Sequence, residues 1–162
     1  MNQAYIQAKA EYDNGYYQKK LAEAQEYQDF IMHQLYMRGI VVLCFSSKKY
    51  QYAIGENIMG AEIKFQKRYK DYGSFAIEME EKSNPANPNF VPSGIYRSDN
   101  SWLFIAGDYD TFYIFSTKYL RMLSSRYKPY EKPTSKGFVL PVEEAEKYCL
   151  KKVEVNNGLD TD

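Results

Sequence analysis

Between Ala61 and Glu80 the chain alternates twice between apolar and charged residues, and no other stretch constrains its fold so tightly. Ala61, Ile63 and Phe65 are separated by Glu62 and Lys64. Phe75, Ile77 and Met79 alternate with Ala76, Glu78 and Glu80. Successive side chains of a strand point to opposite faces, so each segment reads as a half-buried strand with its apolar members inward. The link from Lys67 to Gly73 is polar and carries Asp71 and Gly73, which predicts a hairpin as the join. Centred near residue 70, that hairpin sets Glu62 opposite Glu78 with Cβ atoms about 5 Å apart, where like charges repel. Such a pair persists by facing solvent, by lysine neutralisation, or by holding a divalent cation between the carboxylates.

The surrounding sequence predicts an α+β (mixed α/β) arrangement. Leu21, Ala24, Tyr27, Ile31 and Leu35 recur at helical spacing within Gly15–Arg38, and Gly39 supplies the stop. Ile40–Phe45 is a continuous apolar, β-branched run that reads as a strand buried on both faces. Residues 48–59 read as an irregular connection. Ser83–Pro92, with three prolines, is a loop in which no central strand fits. Trp102–Ala106 and Thr111–Phe115 form two aromatic strands around the turn Gly107–Asp110, and Ser116 caps a helix over Thr117–Arg126. Tyr127–Gly137 reads as a loop. Pro141 then opens a last helix with Glu143 and Glu144 in its first turn and Lys147, Lys151 and Lys152 towards its end. A single domain over residues 1–155 is expected, with residues 1–14 frayed and 156–162 a disordered tail.

The chemistry open to such a chain is narrowed by its composition. Twenty-one basic residues balance 21 acidic ones, so no global field draws it to nucleic acid or membrane, and a nucleic-acid role needs a local basic face. A lone His33 leaves no histidine triad or zinc site, and Cys44 and Cys149 make neither a disulfide framework nor a zinc spacing. The longest apolar run falls far short of the roughly 20 residues of a membrane span, and Met1–Lys20 lacks the apolar core of a signal peptide. A reduced, cytoplasmic setting is therefore expected. What remains is carboxylate chemistry, lysine chemistry, or none. The 17 tyrosines, with apolar bodies and polar tips, suit half-buried strands and contact surfaces.

Several of these segments resemble the PD-(D/E)xK restriction-endonuclease-like superfamily. The helix Glu26–Leu35 with Ile40–Phe45 looks like its opening. Gly60–Phe65 followed by Ile77–Lys82 looks like its metal-binding hairpin. Pro92–Ile95, Ser98–Asp99 and Trp102–Ile105 resemble a segment of small phage-type and bacterial members. The resemblance covers Glu26–Leu123, and its most specific part is the sixteen-residue spacing from Glu62 to Glu78. It implies Glu62 and Glu78 as ligands of Mg²⁺ (or Mn²⁺), with Glu80 assisting. Lys82 or Lys64 would then steady the scissile phosphate or the attacking water. In the other register, Glu80-Glu81-Lys82 is the E-x-K, with Glu80 the ligand and Lys82 the catalytic lysine. The chain departs from the family pattern in having no Pro-Asp before the hairpin and Glu as its first acid.

Lys48, Lys49, Lys67, Arg68 and Lys70 mix with tyrosines near the hairpin and can hold phosphates beside stacked bases, and Arg97 can line the same cleft. The leading expectation is thus a Mg²⁺-dependent nuclease hydrolysing DNA phosphodiesters. The alternative is a catalytically inactive protein of the same fold that binds a protein partner or itself. The amphipathic N-terminal helix can equally support a homodimer.

Overall fold

The strand Leu103–Gly107 is buried along its whole length, and the two directions in which its side chains point define the architecture. The structure, a computed structural model, describes residues 15–155. The expectations for residues 1–14 and 156–162 lie outside them. In chain order the helices are α1 (Tyr16–Tyr36), α2 (Lys48–Ala53), α3 (Tyr69–Tyr72), α4 (Thr117–Leu123) and α5 (Val142–Tyr148). The strands are β1 (Ala61–Phe65), β2 (Ser74–Glu81), β3 (Val91–Pro92), β4 (Leu103–Gly107), β5 (Thr111–Ser116), β6 (Pro129–Glu131), β7 (Ser135–Pro141) and β8 (Lys151–Glu154). They form two four-stranded sheets, ordered β1-β4-β5-β8 and β3-β2-β7-β6.

Leu103 and Ile105 of β4 face α1, where Tyr27, Ile31 and Leu35 complete one core with Ala61 and Phe112. Phe104 and Ala106 face the second sheet and pack with Phe75, Ile77, Phe138 and Leu140. Helix, sheet and sheet thus stack as three layers, and the fold is α+β. Among the described residues only β1 and β4 run parallel; the remaining ladders are antiparallel. The helical spacing of Tyr27, Ile31 and Leu35 is realised in α1. The aromatic strands form the β4–β5 hairpin, whose turn is held by Asp108 Oδ1 accepting from the amides of Asp110 and Thr111. Ser116 caps α4, its hydroxyl accepting from the Tyr119 amide.

The structure departs from the sequence-based expectations at five points. First, β1 and β2 are not a hairpin. They lie in different sheets, joined through α3, whose Tyr69 is buried and stacks on Phe75 at 4.4 Å. Just past β1 a side chain bridges to β2: the Gln66 amide donates to the Ala76 carbonyl (2.6 Å) and accepts from the Ala76 N–H (3.0 Å). Beyond it the strands splay apart, β1 taking β4 as partner and β2 taking β7. Second, Ile40–Phe45 is not a buried strand. It runs outside the sheets with one isolated bridge, Cys44 to Asn57, and Val41 and Leu43 are exposed. Its backbone bonds instead to the neighbouring loop, with the Phe45 N–H donating to the Glu56 carbonyl and the Leu43 carbonyl accepting from the Ile58 N–H.

Third, residues 127–137 carry β6 and the start of β7 instead of a loop. Gly137 makes this possible, because a Cβ there would collide with the Ile77 carbonyl of the neighbouring strand. Fourth, α5 ends at Tyr148, and Lys151 and Lys152 belong to β8 at the sheet edge beside β5. Residues 48–53 also coil into α2 within the stretch read as irregular. Among the described residues no helix is long and apolar enough to cross a membrane.

Candidate functional site

Where β1 and β2 splay apart, the space between the sheets opens as a cleft, and the alternation of β1 aims Glu62 and Lys64 into it. Glu62 sits opposite Phe104 in the parallel ladder and is 2% exposed. Its Oε1 lies 2.9 Å from Lys64 Nζ, while its Oε2 is buried and accepts no hydrogen bond. Lys64 reaches across the split to Glu78 on β2, 3.6 Å away. Burial opposes the Lys64 charge, but Glu62 and Glu78 more than compensate and hold its pKa above the ordinary lysine value. The two carboxylates that the sequence pairs are therefore brought together, by a shared lysine across two sheets and not by a cross-strand register.

The far wall is built from the turn at residues 93–96. Ser93 is buried and its hydroxyl donates to Glu78 Oε1 at 2.9 Å. Gly94, at φ 51°, lets this turn press on β2, since a Cβ would strike the Glu78 backbone. The floor holds Glu56, which burial pushes above the usual carboxylate range while Lys64 and Arg97 pull it back. Arg97 is clamped by three groups: Glu56 at 3.3 Å, the buried Asp99 carboxylate at 2.9 Å and the Gln51 carbonyl at 3.3 Å. This cleft encloses about 430 Å³, with Glu56, Glu62, Lys64, Ser93 and Arg97 in its lining and Lys48 at the exposed margin.

Glu80 is not part of the cluster. The β2–β7 register shifts between Glu78 and Glu80, and a bulge ends the strict alternation that would have put both on one face. No ion pair or hydrogen bond joins Glu80 to Glu62, Lys64 or Glu78. Lys82 lies elsewhere, its ammonium 4.7 Å from the Phe90 ring centroid. Lys49 is exposed on α2. Lys67 pairs with Glu23 (3.5 Å) and Arg68 with Asp71 (3.3 Å). Lys70 is held at the β4–β5 turn by Asp108 (2.8 Å) and Asp110 (3.3 Å). Two members of the site, Glu56 and Ser93, carry no signal in the sequence. Glu56 lies in a stretch without periodicity, and Ser93 is placed by the glycine that follows it.

Chemically, the cluster offers two carboxylates that share one ammonium, with one carboxylate oxygen uncommitted. Among the described residues no three histidine, cysteine or acidic side chains converge as a metal-holding group. Comparison with known proteins adds no parallel: no family model matches the chain. No curated protein and no solved structure is significantly similar to it.

Proposed function

We propose that the chain is a metal-dependent nuclease, hydrolysing DNA phosphodiesters with Mg²⁺ or Mn²⁺ at the cluster of Glu62, Lys64 and Glu78. The observation that carries this reading is the buried Glu62 with an unpartnered oxygen, beside a lysine that also touches Glu78. A buried carboxylate oxygen without a donor is costly, and a cation is the ligand that best satisfies it. Mg²⁺ takes one or two carboxylates and completes its shell with water and phosphate oxygens. Glu62 and Glu78 fit that demand as the holding pair; Glu80, beyond the bulge, does not. When bound, the ion would neutralise phosphate charge and acidify a coordinated water.

The chain's own residues supply the rest. Lys64, kept charged by its two carboxylates, fixes a positive charge beside the position of the scissile phosphate. Its E-x-K relation to Glu62 places acid and lysine on one face of β1. Ser93 fixes the Glu78 carboxylate through its hydroxyl. Arg97, clamped by Glu56 and Asp99, holds the turn against the floor of the cleft. The burial of Glu62 keeps the cluster in a low-dielectric setting where charge interactions are strong. Incubating single- and double-stranded DNA with the protein and Mg²⁺ or Mn²⁺ tests the reading. Cleavage that is lost in Glu78→Ala and in Lys64→Met supports it. Equal cleavage by the variants removes the site assignment, and no cleavage of any substrate removes the nuclease reading.

One observation favours a second reading, the inactive interaction protein. Val41 (68% exposed) and Leu43 (60% exposed) stand uncovered on an uncharged segment outside both sheets. Such a surface suits a protein partner or a second copy of the chain. Light scattering on the wild type and on Val41→Lys/Leu43→Lys tests it: concentration-dependent association lost in the variant favours self-binding.

A further inference from the structure

On its other side Lys64 lines a second and larger groove, of about 710 Å³, over the outer face of the second sheet, where Ala76, Glu78 and Val139 alternate with the core residues Phe75, Ile77 and Phe138. Its lining includes five cations, Lys20, Lys64, Lys67, Arg68 and Lys132, against Glu78 as the single carboxylate. A chain whose charges balance overall has thus concentrated positive charge in one groove, and that groove leads to the Glu62–Lys64–Glu78 cluster. The counter-charges are held loosely at its rim. Glu23 pairs with Lys20 (3.0 Å) and Lys67 (3.5 Å), and Asp71 with Arg68 (3.3 Å). Exposed pairs of this kind contribute little and exchange readily for phosphate. Lys132 has no carboxylate partner among the described residues.

Two tyrosines set the choice of ligand. Tyr72, 64% exposed on α3, carries the Arg68 guanidinium 4.6 Å from its ring centroid. Tyr130, half-buried on β6, carries the Lys132 ammonium 5.3 Å from its ring. Rings flanked by cations inside a positive groove are the elements that hold unpaired nucleotides: bases stack on the rings while the cations follow the phosphates. A duplex cannot use them in this way, because its bases are stacked on each other and show only their edges.

We infer that this groove binds single-stranded nucleic acid and delivers that strand to the Glu62–Lys64–Glu78 cluster. The choice of ligand rests on the nuclease reading, since it is Lys64 that joins the groove to the cleft. Fluorescence anisotropy tests it, using a labelled mixed-sequence single strand and its duplex of equal length, in EDTA so that nothing is cut. The single strand should bind at least about ten-fold tighter than the duplex. Tyr72→Ala should weaken single-strand binding by about 5- to 150-fold, the range for one lost base stack, while Tyr72→Phe retains it. Lys132→Glu should weaken binding and flatten its salt dependence.

Duplex binding equal to or tighter than single-strand binding overturns the inference, as does unchanged affinity in Tyr72→Ala. Both substitutions are at exposed positions, and an unaltered melting temperature separates lost binding from lost fold. Cleavage of duplex without preference for single strands would overturn the inference and leave the nuclease reading standing. Tight, Tyr72-dependent single-strand binding with no cleavage in Mg²⁺ or Mn²⁺ would do the reverse.

Discussion

Replacing Lys64 with methionine isolates the electrostatics of the cleft. The substitution keeps the length of the aliphatic stem and removes the charge, leaving Glu62, 2% exposed, with no cation at 2.9 Å. Breaking a buried ion pair from one side costs about 3–5 kcal/mol, because the surviving charge is buried and uncompensated. The Lys64 side chain retains 36% of its accessible surface, so the lower end applies, about 3 kcal/mol. At about 2–4 °C per kcal/mol for a chain of this size, the melting temperature should fall by about 6–12 °C at neutral pH. The partner substitution behaves differently. Glu62→Gln removes a buried charge and leaves Lys64 with Glu78, so it should cost less than about 1 kcal/mol.

The double variant should recover most of the loss. A buried carboxylate without a cation is relieved by protonation, so the defect of Lys64→Met should be smaller in acid than at neutral pH. Calorimetric melts of the four proteins at neutral and acid pH provide the assay. Equal effects of Lys64→Met and Glu62→Gln at both pH values would mean that Glu62 is not a buried, lysine-compensated carboxylate.

Three further outcomes follow from the geometry. Gln66→Leu removes both hydrogen bonds to Ala76 that tie β1 to β2, and urea denaturation should show a loss of about 2–4 kcal/mol. Gly137→Ala places a Cβ against the Ile77 carbonyl and should cost about 1–3 kcal/mol by the same measurement. Burial and the adjacent Glu78 push the Tyr130 phenol up to about 12, so stability held below its ordinary value of about 10 is lost as pH rises through about 12. Glu78→Gln should lower that titration, as followed by NMR of ring-labelled tyrosine; an unchanged Tyr130 titration would place Glu78 elsewhere.

The elements legible in the sequence are those whose signal is local. Tyr27, Ile31 and Leu35 mark the buried stripe of α1, and the Ser116 hydroxyl and the Gly107–Asp110 turn mark their elements by chemistry acting over a few residues. Alternation likewise identifies β1 and β2 as strands, but it carries no information about partners. The side-chain pairing by Gln66 and the burial of Tyr69 separate them into two sheets, which no count along the chain reveals. Ile40–Phe45 shows the converse, for an apolar run states a preference for burial and not whether an inner face remains free. At the site, Glu62, Lys64 and Glu78 are legible because a strand holds two of them on one face. Glu80 is lost to a bulge, and Glu56 and Ser93 are brought in by loops whose path depends on contacts far along the chain.

As proposed, Glu62 and Glu78 would hold a divalent cation at the split between the sheets. Isothermal titration of Mn²⁺ into the wild type and into Glu62→Ala/Glu78→Ala tests it most directly. The wild type should show saturable binding at a single site and the double variant none. Identical isotherms from the two proteins, or saturable binding that survives the double substitution, would contradict it.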